Sequence, residues 1–240
     1  MTTIAVYSAK GGVGKTTLAV CLAWASATRS SRRTLLWDLD TQAAASFILG
    51  RGRPPVEARE VIERDVPPAS AIVATAVPNL DLLPADPSIR SLDSLFSTIG
   101  RKKRLRRVMD ELAGSYDRIL LDCPPGLGVT GDQVIRAADL IVMPMIPSTL
   151  SRRAYEQMRA HLSENHRGGA PVLPVFTLAD RRRSAHRAAI AAEPDWLVIP
   201  MASAVEEMAD RRAAIGDYAP KSPAAAAIAA LWTTVERRIS

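Results

Sequence analysis

The sequence predicts an α/β protein: a doubly wound, mostly parallel sheet with helices on both faces. Short apolar runs that end at small or acidic residues recur along the chain. They are continuously apolar rather than alternating, which means that each strand is buried on both faces. Helical stretches separate most of them, and a right-handed crossover through a helix makes successive strands parallel. At 240 residues and 48% hydrophobic, the chain suits one large domain, 1–240, better than two small ones.

In chain order, IAVYS (4–8) is the first strand, SAKGGVGKTT (8–17) a glycine-rich loop, and TTLAVCLAWA the helix that follows. TLLWDLD (34–40) is the next strand. RGRPPVEAREVIERDVPP (51–68) reads as a short helix between loops and carries no visible chemistry. The later strands are LDLLP (80–84), RILLDCPP (118–125), LIVMPM (140–145), PVLPVF (171–176) and WLVIPM (196–201). The basic run RKKRLRR (101–107) leads into VMDEL, with Leu105, Val108, Met109 and Leu112 at helical spacing. That favours an amphipathic helix with a solvated charged face over a nucleic-acid site. At the chain end, Ser222-Pro223 is a helix start, and Ile228, Leu231, Trp232, Val235 and Ile239 form one stripe.

The loop between the first strand and its helix carries the chemistry. A helix N-terminus aims backbone N–H groups and the positive end of its dipole at an anion. Gly11, Gly12 and Gly14 supply torsions and close approach around Val13. Lys15 can reach β- and γ-phosphates, the Thr16 hydroxyl can ligate Mg²⁺, and Thr17 completes the loop. This is a P-loop. A dinucleotide fingerprint would need a third glycine that Gly12-Val13-Gly14-Lys15-Thr16-Thr17 lacks. A metal and a water must be held opposite it, and in open α/β sheets that happens at the carboxyl ends of strands. Asp122 closes a strand and suits the Mg²⁺-holding role through water, Asp38 a supporting position behind it. Asp40 is the candidate for orienting the attacking water. Acids that only cap strand ends are the alternative for all three.

The general P-loop pattern has a glycine where this chain has Ala9, followed by the extra Lys10. KGGVGKTT (10–17) resembles the deviant Walker A motif of the ParA/MinD group of P-loop ATPases. The resemblance implies an ATP-dependent sandwich dimer in which Lys10 crosses the interface to the partner subunit's ATP. The alternative is a solvated loop lysine. DLD followed by Gln42 resembles the second signature segment of ParA proteins, whose second aspartate, here Asp40, is hydrolytic. Thr41 stands where the family commonly has proline, and Ala43 to Ala45 replace a more polar stretch. DCPPGLG, NLDLLPADPSI (79–89) and ADLIVMPMIPS (138–148) resemble later family segments, so the likeness spans most of the chain.

By the same resemblance the cofactors are ATP and Mg²⁺, and the dimer binds double-stranded DNA without sequence preference. A ParB-like or cargo-adaptor protein stimulates hydrolysis, and a cargo is segregated or positioned. The implied phosphate-contacting patch is Arg181, Arg182, Arg183, Arg211, Arg212 and Lys221, with Arg152 and Arg153 weaker candidates and solvated surface arginines the alternative. The net charge of +6 and pI near 9.7 favour a polyanionic partner without naming it. A chain that begins about two residues before its first strand is not expected to carry an N-terminal helix-turn-helix. No run approaches the roughly 18 apolar residues of a membrane span, so a cytoplasmic location is expected, and the resemblance implies association with the nucleoid.

Two rivals are weighed. A MinD-like membrane switch would end in a lysine-rich amphipathic anchor, whereas the terminal helix here is alanine-rich and expected to pack against the domain. An iron–sulfur ATPase could use Cys21 and Cys123, but their positions lack ligand-like spacing. His161, His166 and His186 sit apart in polar stretches and read as surface residues.

Overall fold

The computed structural model describes residues 1–52, 56–63, 66–88, 93–94, 104–126, 128–165 and 169–240. In chain order the elements are β1 (Thr2–Val6), α1 (Lys15–Arg29), β2 (Thr34–Asp38), α2 (Ala44–Leu49), α3 (Ala58–Glu63), β3 (Val73–Ala74) and β4 (Leu80–Leu83). Then come α4 (Arg104–Glu111), β5 (Arg118–Asp122), α5 (Val129–Ala137), β6 (Leu140–Met145), α6 (Thr149–Asn165) and β7 (Val172–Ala179). The chain closes with α7 (Ser184–Ala192), β8 (Leu197–Pro200), the short helices α8 (Ser203–Glu206), α9 (Met208–Arg211) and α10 (Ile215–Tyr218), and α11 (Pro223–Ile239).

The strands form one eight-stranded sheet in the order β3-β4-β2-β5-β1-β6-β7-β8. Every pairing is parallel except that of the two-residue β3 with β4. Successive strand residues feed opposite cores, as the period-2 geometry requires. Ile4, Val6, Leu36, Leu120, Val142 and Val175 pack on the face covered by α1 and α11. Ala5, Tyr7, Leu35, Trp37, Ile119, Leu121 and Ile141 pack on the other face, against α4 and α5 residues such as Met109 and Val134. This is why the strands read as continuously apolar: neither face is left to water. The chain winds to one side of β1 through β2 and β4, returns through β5, and continues on the other side through β6, β7 and β8. The loops after β1, β2 and β5 therefore meet at one end of the sheet.

Several sequence expectations meet their structure here. Leu105, Val108, Met109 and Leu112 are buried, while Arg106 pairs with Asp110 and Asp139 at 3.2 Å, as a solvated charged face would. Residues 101–103 of that basic run lie outside the described residues. The helix expected within 51–68 is α3, with 53–55 and 64–65 outside the described residues. Ser222 caps α11 by accepting the Ala225 N–H at 3.1 Å, with Pro223 in the first turn. Its stripe of Ile228, Leu231, Trp232 and Val235 is buried in the core it shares with α1, so those residues are not free to lie on lipid. Among the described residues, no helix is long and apolar enough to cross a membrane.

One expectation is corrected. His186 is not a surface residue: it is 4% exposed, and its Nδ1 accepts the Asp180 N–H at 3.0 Å. The polar sequence around it concealed that α7 turns this position inward. His161 is half-buried beside Asp132, and His166 lies outside the described residues.

Candidate nucleotide-binding site

The glycine-rich loop runs from the end of β1 to the start of α1. Gly12 (φ 69°) and Gly14 (φ 80°) adopt the left-handed conformation that a side chain resists, so the sequence alternates glycine with Val13 where the backbone must turn back on itself. Gly14 is the N-cap of α1 and has no side chain to cap it, which leaves the first N–H groups of the helix for a ligand. No Cβ at Gly11 or Gly12 would meet anything within 4 Å, so the cradle is open on that side. The two lysines separate. Lys15 is 6% exposed, with Nζ 3.4 Å from the Lys10 carbonyl oxygen, while the Lys10 side chain is exposed.

Three acids gather where β1, β2 and β5 end. Asp38 and Asp122 are direct partners across β2 and β5, and Asp122 is the partner of Val6 in β1. Asp38 and Asp122 are fully buried, and Asp40 is 9% exposed. β2 stops at Asp38, so Asp40 stands in the following loop, its Oδ1 accepting the Gln42 N–H at 3.0 Å. Burial, and secondarily the charge of Asp38, push the Asp122 carboxyl well above the usual range, against the opposing Thr16 hydroxyl and Lys15 ammonium. Both Asp122 oxygens are buried without a hydrogen-bond partner, so Thr16 is close enough to favour the carboxylate but not in hydrogen-bonding geometry. An orphaned carboxylate of this kind, facing an ammonium and a hydroxyl, is the donor set a hydrated Mg²⁺ would complete.

Asp38 is different. Its Oδ2 accepts the Ser46 N–H at 2.8 Å and the Ser46 hydroxyl at 2.7 Å, and its Oδ1 accepts the Asp40 N–H at 3.1 Å. Burial raises its pKa, and the Ser46 contacts partly offset this. Oδ2 is taken up by the two Ser46 donors while Oδ1 accepts only one bond, so Asp38 fixes the Asp40 loop and the start of α2 from behind Asp122.

Four supporting residues escaped the sequence reading. Ser46, the one polar residue in AAASF, also accepts the Ala85 N–H at 2.8 Å. Thr177, the one polar residue in PVLPVFTLA, donates to the Val13 carbonyl at 2.7 Å. Tyr7 donates to the Gly126 carbonyl at 2.6 Å, and the Gly126 N–H is bound to the Ala9 carbonyl at 3.0 Å, which ties the loop after Asp122 to the glycine-rich loop. A lone polar residue in an apolar run was the available signal for Ser46 and Thr177. Nothing in the sequence marks Tyr7 or Gly126, because their pairing spans 119 positions.

The arginines expected to form one patch fall into two groups. Arg181, Arg182 and Arg183 are exposed between β7 and α7, Arg182 being paired with Asp180 at 2.9 Å. Arg211 and Arg212 lie on the β4 side of the sheet. Arg211 pairs with Glu207 at 3.0 Å, and Arg212 donates to the Phe47 and Gly50 carbonyls that end α2. Lys221 is exposed just before α11. Cys21 and Cys123 are buried in opposite cores, so neither thiol can reach a cluster shared between two protomers in this conformation.

Comparison with known proteins agrees with this geometry. The family model described as AAA domain matches residues 1–168. The sporulation initiation inhibitor protein Soj of Bacillus subtilis is 37% identical over 149 residues, 59% of this chain and 57% of Soj. The chromosome partitioning protein ParA of Caulobacter vibrioides is 33% identical over 190 residues, 75% of this chain and 71% of that protein. The cobyrinic acid a,c-diamide synthase of Mycobacterium smegmatis, solved with an ATP analogue and magnesium, superposes with a TM-score of 0.83 at 29% identity. That alignment covers 100% of this chain and 96% of the other. A glycine-rich loop with an inward and an outward lysine, beside two strand-end acids and the loop acid Asp40, and these relatives lead to one conclusion: the chain belongs to the ParA family of P-loop ATPases.

Proposed function

We propose that the chain is a positioning ATPase: ATP closes two copies into a sandwich dimer, the dimer binds DNA without sequence preference, and hydrolysis releases it. The carrying observation is the divergence of the two loop lysines. Lys15 is buried against its own loop, whereas Lys10 is exposed on the rim with no ion-pair or hydrogen-bond partner for its side chain among the described residues. A free cation on the rim of a phosphate cradle supports the reading that Lys10 serves a nucleotide bound by a second copy.

The ligands of the site are ATP and Mg²⁺. The backbone of Gly11 to Thr17 receives the phosphates, and Lys15 neutralises charge from within the loop. Thr16 and Asp122 would hold Mg²⁺, Asp122 through water, and Mg²⁺ when bound draws charge from the phosphate oxygens. Asp40 orients the attacking water from its loop, and Asp38 holds that loop in place. Lys10 adds positive charge across the interface where negative charge develops. The Arg181 to Arg183 group and Lys221 meet the DNA backbone, and a ParB-like or cargo-adaptor protein stimulates turnover at the nucleoid, in the cytoplasm.

The test is fluorescence anisotropy of a random-sequence duplex at low salt with ATP, ADP or no nucleotide. Binding is expected with ATP alone, weakening steeply with salt and lost in the Arg181/Arg182/Arg183→Ala variant. Equal binding in all three nucleotide states, or none in any, overturns the proposed DNA switch.

A further inference from the structure

We propose that Thr177 is a positioning residue for nucleotide binding, acting through the Val13–Gly14 peptide; this rests on the reading of the loop as a nucleotide site. Val13 lies between Gly12 and Gly14, both at positive φ. The Val13–Gly14 peptide turns about Val13 ψ and Gly14 φ, and on the Gly14 side no Cβ resists alternative torsions. Something outside the loop must select one orientation. The Thr177 hydroxyl, 164 positions away in β7, donates to the Val13 carbonyl at 2.7 Å. The other acceptor in reach, the Met145 carbonyl, lies farther off at 3.3 Å.

The consequence follows from peptide planarity. In a trans peptide the C=O and N–H point in opposite directions. Holding the Val13 carbonyl on Thr177 therefore directs the Gly14 N–H away from β7, among the unpaired donors at the start of α1. Thr177 is 3% exposed and Val13 1%, so water does not readily replace the bond. The Thr177 Cβ would sit 3.9 Å from a Cβ at Gly14, so the Thr177 side chain lies beside the turn at Gly14. Without the hydroxyl, the Val13 carbonyl is left buried and unpaired, and the peptide rotates to find another donor. Nucleotide must then restore the orientation at the expense of affinity.

The experiment is titration of a fluorescent ADP with Mg²⁺ into wild type, Thr177→Val and Thr177→Ser, with thermal unfolding of each in the absence of nucleotide. Thr177→Val keeps the shape and removes the donor, and should weaken ADP binding about tenfold. Thr177→Ser keeps the donor and should stay within about twofold of wild type. A Thr177→Val protein that melts lower but binds ADP like wild type overturns the inference, because a merely structural residue would behave in that way. If Thr177→Val does not fold, Thr177→Ala, which also removes the donor, replaces it, and unchanged ADP affinity overturns the inference equally. Wild type that binds no ADP removes the nucleotide reading itself, an outcome distinct from a failure of Thr177 alone.

Discussion

Replacing Ser46 with alanine removes two hydrogen bonds while leaving its backbone in place. One is the 2.7 Å bond from its hydroxyl to Asp38 Oδ2, and the other the 2.8 Å bond it accepts from the Ala85 N–H. A bond to a charged group is worth about 1.5–3 kcal/mol, and an orphaned amide costs about 1–3 kcal/mol. Ser46 is only half-buried, so water can reach part of the site and the low ends apply, about 2–3 kcal/mol together. For a chain of this size that corresponds to a fall in Tm of about 5–10 °C. The loss should depend on pH. The Ser46 bonds oppose the burial that raises the Asp38 pKa, so removing the hydroxyl raises it further. A carboxyl whose folded pKa lies above its unfolded value costs stability as pH rises through that interval. The deficit of Ser46→Ala should therefore be largest at neutral pH and shrink as pH falls toward ordinary carboxylate values. Denaturation at pH 7 and near pH 4 measures this, with turnover and ADP affinity alongside. Turnover should fall, because Asp38 also holds the Asp40 N–H, while affinity should hold. A deficit below about 0.5 kcal/mol at both pH values would refute the coupling of Ser46 to Asp38.

Lys10→Ala should bind ATP but sediment as a monomer in its presence; a wild-type dimer would return Lys10 to a solvated loop residue. Asp40→Ala is expected to keep ATP binding and dimerisation and lose turnover, read by phosphate release, and normal hydrolysis would remove its water-orienting role. Asp122→Asn removes a buried, unpaired carboxylate, so the nucleotide-free variant should be about 0.5–2 kcal/mol more stable than wild type at neutral pH. Its advantage should diminish as pH falls, since Asp122 is the group whose folded pKa lies raised, and the Mg²⁺ dependence of its nucleotide affinity should be lost.

The sheet and the phosphate loop were legible because their signals are local. A strand buried on both faces announces itself by composition, and a loop of fixed glycine spacing announces itself between a strand and a helix. Asp38, Asp40 and Asp122 were legible because each follows an apolar run. What the sequence did not disclose is pairing. Ser46 with Ala85, Thr177 with Val13 and Tyr7 with Gly126 are bonds between segments brought together only by the strand order β4-β2-β5-β1-β6-β7. β3 was missed because two residues carry no periodicity. His186 was misplaced because a polar neighbourhood says nothing about which way a helix faces.

The basic residues show the same limit. A run of arginines records charge but not commitment. Arg212 sits at φ 49°, donates to two carbonyls at the end of α2 and stacks 5.1 Å from the Phe47 ring. Moving it to a phosphate would leave those carbonyls short of a donor and uncover the ring, so its cation serves the fold first. Arg211 is held by Glu207 and the Tyr218 ring. Arg182 is also paired, but it is 83% exposed, and a surface pair of that kind is worth little and exchanges readily for phosphate. Arg181, Arg183 and Lys221 have no side-chain partner among the described residues. Arg187 donates to the carbonyls of Arg181 and Arg182, which fixes the turn that presents them. Of the six candidate cations, those available to a polyanion are therefore Lys221 and the group at the β7–α7 turn. That turn follows directly from the strand in which Thr177 holds the phosphate loop, so a change in the loop has a short covalent path to the surface proposed to bind DNA.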